Sequence, residues 1–161
     1  MFNMILQAPL LQILFFLNIA SAGLVTGGVM VMAAAYTPLL ADLPQRETIM
    51  IHQGMGRYID RYQPKMAWAA LATGLVELGL SRDIWQALFV LLGILGIVGL
   101  IVISRTTSIP LAQKIVAWKP GGSKTLEQLK ARWIRVHYLR SASGLLGFLF
   151  FIIALVLLVA H

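Results

Sequence analysis

Trp133, His137, Arg140 and Gly144 fall at i, i+4, i+7 and i+11, so on a helix they share one face. On such a face an imidazole can exchange a proton near neutral pH, a guanidinium can hold a developing oxyanion or an acidic substrate group, and an indole supplies a flat apolar wall. The pattern makes His137, Arg140 and Trp133 the candidate catalytic set. A structural role fits the same spacing, with Arg140 reaching lipid phosphates and Trp133 anchoring at the membrane interface.

His52 is the other internal histidine, and Tyr58 and Asp60 follow it within the same short segment. These three are candidates for substrate contact or for supporting the first set. Two histidines from different segments, His52 and His137, could also hold a metal, with Asp60 or Tyr58 completing the site, since imidazole and carboxylate suit copper or iron. No HxxxH or ExxH spacing accompanies them, and a lone histidine on a short interfacial helix is more often solvated. Glu77 is the only acidic residue inside an apolar run, which makes it a functional candidate, although Arg82 lies close enough in sequence to pair with it. Asn18 and Gln12 more often stitch helices together than catalyse. The chain has no cysteine, which excludes disulfides, thiolate metal sites and cysteine nucleophiles. It also lacks a glycine-rich phosphate loop, a GxSxG elbow, a zincin motif and the repeated Glu and ExxH pairs of a di-iron bundle.

The elements that must position these residues are written in the composition. Hydrophobic residues make up 59% of the chain and charged residues 12%, against about half and about a quarter in a soluble domain. Mean hydropathy is +0.83. The expected fold is all-α: an integral membrane four-transmembrane-helix bundle, in a single membrane domain over residues 1–161. Spans are expected at about 9–40, 64–80, 84–104 and 133–160, with amphipathic cytoplasmic connectors at 41–63 and 105–132. Ala20-Ser21-Ala22 has the form of a signal cleavage site, but no Lys or Arg precedes Arg46 and hydrophobicity continues past Ala22, so an uncleaved span is expected. This first span should end at Tyr36-Thr37-Pro38.

Four crossings place both termini and the Ser81-Arg82-Asp83 hairpin on one side and the two longer connectors on the other. Of the thirteen Lys and Arg, all but Arg82 lie on the connector side. The positive-inside rule makes that side cytoplasmic and puts the termini outside, with a bacterial inner membrane as the expected setting. Basic residues beside hydrophobic spans need no nucleic acid to explain them, and none is expected as a partner. The expected partners are the lipid bilayer, a hydrophobic small molecule, and further copies of the chain or other membrane subunits.

Small residues should mark the helix contacts: Gly23 and Gly27, then Gly93, Gly96 and Gly99, then Gly144 and Gly147. In the first connector Asp42 reads as an N-cap with Pro44 in the first turn. Ile51, Met55, Tyr58 and Tyr62 then form an apolar stripe. A second short helix should open at Ser108. Thr125 with Gln128 reads as a capping box that starts a long helix running unbroken into the last span.

Thr107-Ser108-Ile109-Pro110-Leu111, then Ala117-Trp118-Lys119-Pro120, then Trp133-x3-His137-x2-Arg140 and a hydrophobic tail, resemble the anthrone oxygenase-like family of small four-span membrane proteins. The glycine-rich first span closing on Tyr36-Thr37-Pro38-Leu39-Leu40, and a connector with Met55, Ile59 and Pro64, extend the resemblance over nearly the whole chain. The resemblance implies oxidation of anthrones by molecular oxygen to anthraquinones, without a flavin or haem. In that reading His137 is the base, Arg140 its electrostatic partner, and Trp133 holds a flat ring. The chain departs from the family pattern in having Val136 where an Asn often precedes the histidine, and in adding His52, which bears on the substrate more than on the fold. Two classes of function stay open: an oxygen-using enzyme acting on an anthrone- or hydroquinone-like molecule, and a non-catalytic small subunit or scaffold of a membrane complex. A transporter is a weaker third, because four spans would have to dimerise to form a path.

Overall fold

A computed structural model describes residues 2–59, 61–119 and 125–160, and every regular element among them is helical. Helix α1 (Phe2–Val31) passes through a π-helical turn at Met32–Tyr36 into α2 (Thr37–Asp42). Helices α3 (Gln45–Tyr58) and α4 (Gln63–Leu80) follow. Helix α5 (Ile84–Ile103) passes through a second π-helical turn at Ser104–Ser108 into α6 (Ile109–Val116), and α7 (Leu126–Ala160) closes the chain. Three stretches are helices long and apolar enough to cross a membrane: Leu11–Asp42, Ile84–Val116 and Leu126–Val159. Helix α4 is shorter and less apolar, because it opens on Gln63, Pro64 and Lys65 and carries Glu77.

The two π-turns change where the helices were expected to stop. A proline ring collides with the carbonyl four residues back in α geometry, and Pro38 and Pro110 read as helix boundaries for that reason. In the structure the residue ahead of each proline donates its N–H five residues back, Thr37 to Met32 and Ile109 to Ser104. The widened turn accommodates the ring and the helix continues. The first helical rod therefore runs to Asp42 rather than ending at Tyr36-Thr37-Pro38. The stretch from Ser108 is the continuation of α5 rather than a separate connector helix.

Asp42 is likewise the last residue of α2 and not an N-cap. The chain turns extended at Leu43, and α3 begins after Pro44, whose carbonyl accepts the Thr48 N–H at 3.0 Å. Two other caps match the sequence chemistry. Asp83 accepts the Gln86 N–H at 2.7 Å, and Thr125 accepts the Gln128 N–H at 3.3 Å at the start of α7.

Helix α1 packs against α4 and α7, and α5 packs against the same two, so each long helix has two neighbours. Phe15, Val25, Val29, Ile94, Ile97 and Phe151 are among the residues that fill the space between them. The α5–α7 seam is the tightest contact. A Cβ on Gly96 would run into the Gly147 backbone, with the Gly147 nitrogen only 2.6 Å away. Ser143 donates to the Gly96 carbonyl across the same seam at 2.9 Å. Phe151 closes it on the other side, its ring lying against Gly93 and Gly74. The expected glycine contacts thus form within the chain on α5 and α7, whereas Gly27 on α1 faces open space.

A second, smaller core sits at the basic end. Met32, Leu40, Leu111, Ile115, Leu126, Leu129 and Trp133 form it, with Ile51, Met55 and Ile59 packed alongside. The inward face of α3 is therefore carried by Thr48, Ile51, His52 and Met55, while Tyr58 and Tyr62 stay exposed. Lys130 is buried here. Its ammonium donates to the carbonyls of Ala41 at 3.3 Å and Leu43 at 3.0 Å, and it pairs with Glu127 at 3.2 Å. That arrangement supplies partners for carbonyls left over where α2 ends.

Candidate functional site

The 3.6-residue period of α7 puts Trp133, His137 and Arg140 on one buried face, as their spacing requires. Helix α3 adds His52 from the side. The Trp133 and His137 rings stack with centroids 4.8 Å apart and planes 19° from parallel. His52 meets the same indole edge-on, at 4.9 Å and 71°. One tryptophan therefore touches both histidines.

Each imidazole is fixed by a backbone carbonyl. Val29 O lies 3.2 Å from His137 Nε2, and Thr48 O lies 2.9 Å from His52 Nδ1. A carbonyl only accepts, so those nitrogens carry the hydrogen and the opposite nitrogens of the neutral rings hold lone pairs. Those opposite atoms, His137 Nδ1 and His52 Nε2, are buried without a hydrogen-bond partner, as is the Trp133 indole N–H. Burial lowers the His52 pKa below its usual 6.5; the Thr48 carbonyl opposes this and the positive charge of Lys130 reinforces it. His52 is thus a neutral base at neutral pH.

Arg140 donates to Gln63 Oε1 at 3.2 Å, tying α7 to the first turn of α4. The four candidate side chains border one cavity of about 50 Å³, together with Gln63 and with Met32 and Ser108 from the two π-turns. That volume holds water or a small group. π-turns recur at functional sites because they re-aim side chains out of helical register. Both of these contribute a wall residue here.

The structure thus brings His52, Trp133, His137 and Arg140 together. It does not bring Tyr58, which is 66% exposed and off the cavity wall. Asp60 lies outside the described residues. Among the described residues no group of three His, Cys, Asp or Glu side chains converges, so none of these residues joins His52 and His137 as a third such ligand for copper or iron. Glu77 is fully buried, and neither carboxylate oxygen takes part in a hydrogen bond, including to Arg82. Asn18 stitches α1 to α4 by donating to Ala70 O at 2.9 Å and Thr73 Oγ1 at 3.1 Å, while Gln12 is exposed.

Gln63, Lys130 and the Val29 carbonyl are parts of this region that spacing alone does not mark. Gln63 reads as a polar opening to α4, and its partner stands 77 residues away. Lys130 reads as one more basic residue of a basic connector. In the arrangement as a whole, two histidines that each keep one unpartnered ring nitrogen, and an arginine, line a small, aromatic-walled space. Such a space can take a proton from a weak acid and stabilise the anion that results. The chain matches no family model, no curated protein and no solved structure.

Proposed function

We propose that the chain is a membrane-embedded, oxygen-dependent oxidase or monooxygenase of the anthrone oxygenase-like kind, acting on a hydrophobic aromatic such as an anthrone or hydroquinone. The observation that carries this reading is His137: fully buried, held by Val29 through one nitrogen, stacked on Trp133, with its other nitrogen unpartnered and its side chain bordering a cavity that Arg140 also lines. The cavity of about 50 Å³ must widen to admit the ring of such a substrate; His137 Nδ1 then takes a proton from its acidic benzylic carbon. Arg140 stabilises the negative charge that moves onto the substrate oxygen. The carbanion passes its electrons to molecular oxygen one at a time and a carbon–oxygen bond forms. The peroxide recovers the proton from His137. Loss of the second benzylic proton to an imidazole then breaks the oxygen–oxygen bond, releasing water and leaving the ketone. The second bare nitrogen, His52 Nε2, suits that later proton.

In this reading α4 is a fourth crossing. The basic connectors are cytoplasmic, the termini lie outside, and the setting is a bacterial inner membrane, supported by the restriction of Lys and Arg, save Arg82, to one end. The exposed Phe16, Leu24, Leu95, Leu146 and Val156 suit a lipid-facing surface. The alternative, a non-catalytic subunit or scaffold, rests on the glycine stripes and on the lack of an unambiguous catalytic set; the stripes of α5 and α7 pack within the chain.

The test is oxygen uptake by detergent-purified protein supplied with 1,8-dihydroxyanthrone. Uptake with anthraquinone formation, lost in His137→Ala, supports the proposal. Fixed co-purifying subunits, with uptake absent or indifferent to His137→Ala, would overturn it.

A further inference from the structure

Helix α3 is lightly anchored for its length. It packs chiefly on α6, and it touches α7 where the His52 and Trp133 rings meet. Its inward face carries His52, and its outward face carries something different. Arg46, Met50, Gln53 and Arg57 follow at i, i+4, i+7 and i+11, so they form one stripe along the helix, and all four are exposed. Arg61, also exposed, comes in the turn that leads into α4. Among the described residues the one ion pair joins Lys130 to Glu127, so no described carboxylate pairs with Arg46, Arg57 or Arg61.

The level of this stripe is marked by aromatic side chains. Tyr36, Tyr58, Tyr62, Trp68 and Tyr138 are exposed on four different helices or the turns beside them, all at the basic end. Exposed Tyr and Trp gather where a membrane protein meets the headgroup layer. Helix α3 ends among them, with Arg57 beside Tyr58 and Arg61 beside Tyr62.

We infer that the outward face of α3 is a binding surface for anionic phospholipid headgroups, and that lipid bound there holds α3 in place and keeps His52 seated against Trp133. Guanidinium forks match phosphate oxygens, while Met50 and Tyr58 between them suit the edge of the acyl layer. Arg46 and Arg57 stand about 16 Å apart along the helix axis, so Arg46 takes one lipid and Arg57 with Arg61 takes another. A partner that binds seated α3 better than displaced α3 shifts the balance toward the seated state. The consequence for the site follows from the walls. A groove between α3 and α6 shares His52, Gly56, Ile109 and Ala112 with the cavity. Displacing α3 would merge the two spaces; holding it keeps them apart. The inference rests on the membrane part of the proposed function and not on its chemistry.

The experiment places the full chain in vesicles of phosphatidylcholine, alone or mixed with phosphatidylglycerol, and follows amide hydrogen exchange over residues 45–58. Exchange there should slow by about tenfold in the mixed vesicles, while the α5–α7 seam is unchanged. Replacing all three arginines, Arg46→Gln, Arg57→Gln and Arg61→Gln, should remove most of the slowing, and Lys at the same positions should keep most of it. Arg132→Gln with Arg135→Gln, which removes two exposed charges of α7, should leave it in place. Equal exchange in the two kinds of vesicle, or slowing that persists in the Gln triple variant, would overturn the inference. Slowing lost equally in the α7 control would do so as well, by showing only diffuse surface charge. Equal slowing by inorganic phosphate over phosphatidylcholine would identify a free-anion site instead of a lipid one. The seating is read from ring-labelled histidine by NMR, with the His52 signal assigned through its loss in His52→Gln. That signal should sharpen with phosphatidylglycerol, and slowing of α3 with an unaltered His52 signal would overturn the seating. None of these readouts needs turnover. Lipid-dependent slowing without oxygen uptake would sink the oxidase reading alone; uptake with equal exchange in both kinds of vesicle would sink the lipid surface alone.

Discussion

Along one face of α7 two regions use the same periodicity to opposite ends. From Gly144 to Phe151 the face is packed against α5 until backbones touch; from Trp133 to Arg140 it borders a cavity. In the first region nearly every polar group finds a partner, as when Ser143 donates to Gly96 O and Thr26 to Gly144 O. In the second, two imidazole nitrogens and an indole N–H are buried without one. An unpaired buried polar atom costs about 1–3 kcal/mol, so the second region is tolerable only because the first holds the helices in place. Stability and chemistry are divided between successive turns of a single helix.

The seam gives the sharpest way to break this division. Gly96→Val should prevent folding or release α5 from α7, because its side chain would have to occupy the Gly147 backbone and neither partner is a flexible side chain. Overpacking of this kind costs typically about 1–3 kcal/mol and more where backbone must move. Loss of a monodisperse peak in detergent, with a lowered unfolding temperature in whatever folded protein remains, is the expected result. A variant as stable as the parent would show that the seam is not what holds the bundle.

In the cavity the effects should fall on rate and leave the fold intact. His137→Ala is expected to lower anthrone-dependent oxygen uptake by about 10²–10⁴-fold, the usual contribution of a general base. Its chromatographic profile should match that of the parent. Collapse of the fold instead would mean that the Val29 contact is structural and that the two regions are not separable.

Why the sequence exposes some of this and hides the rest follows from how local each interaction is. The α7 face could be read from spacing alone because Trp133, His137, Arg140, Gly144 and Gly147 all belong to one helix. The Thr125–Gln128 cap could be read for the same reason. The π-turns could not. A proline reads as a stop, and whether the helix instead widens depends on the packing of the turns around it, here in the second core and the cavity wall. Gln63 and Lys130 were equally hidden, since a long-range side-chain partner leaves no periodic trace. Of the residues in the first connector, His52 turned inward and Tyr58 outward. The expected stripe counted Tyr58 with Ile51 and Met55 and left His52 out; the packing of Ile51 and Met55 on the second core turns His52 inward instead.

Lys130 offers a smaller test that joins the two regions. Replacing it by Met keeps the length of the side chain and removes the donors to Ala41 O and Leu43 O. The end of α2 should loosen, at a cost of about 1–3 kcal/mol. Met32, Leu40 and Trp133 share its core, so the same change should reach the cavity. Thermal unfolding and oxygen uptake should therefore both decline. A decline in uptake with unchanged stability would instead assign Lys130 an electrostatic role toward His52.

The mildest effect concerns His52 and pH. In the unfolded chain its imidazole gains a proton near pH 6.5, whereas burial holds the folded-state pKa lower. The unfolded state thus binds the extra proton first. The stability associated with neutral His52 is fully present above about pH 6.5 and is lost progressively as the pH falls from there toward the folded-state pKa. Unfolding temperatures of the parent and His52→Gln should accordingly diverge least in acid and most above neutrality. Comparing the two proteins cancels every other titrating group they share. Parallel pH profiles would place the His52 ring in contact with bulk water, and the cavity would then be an open extension of the α3–α6 groove rather than a separate compartment beside it.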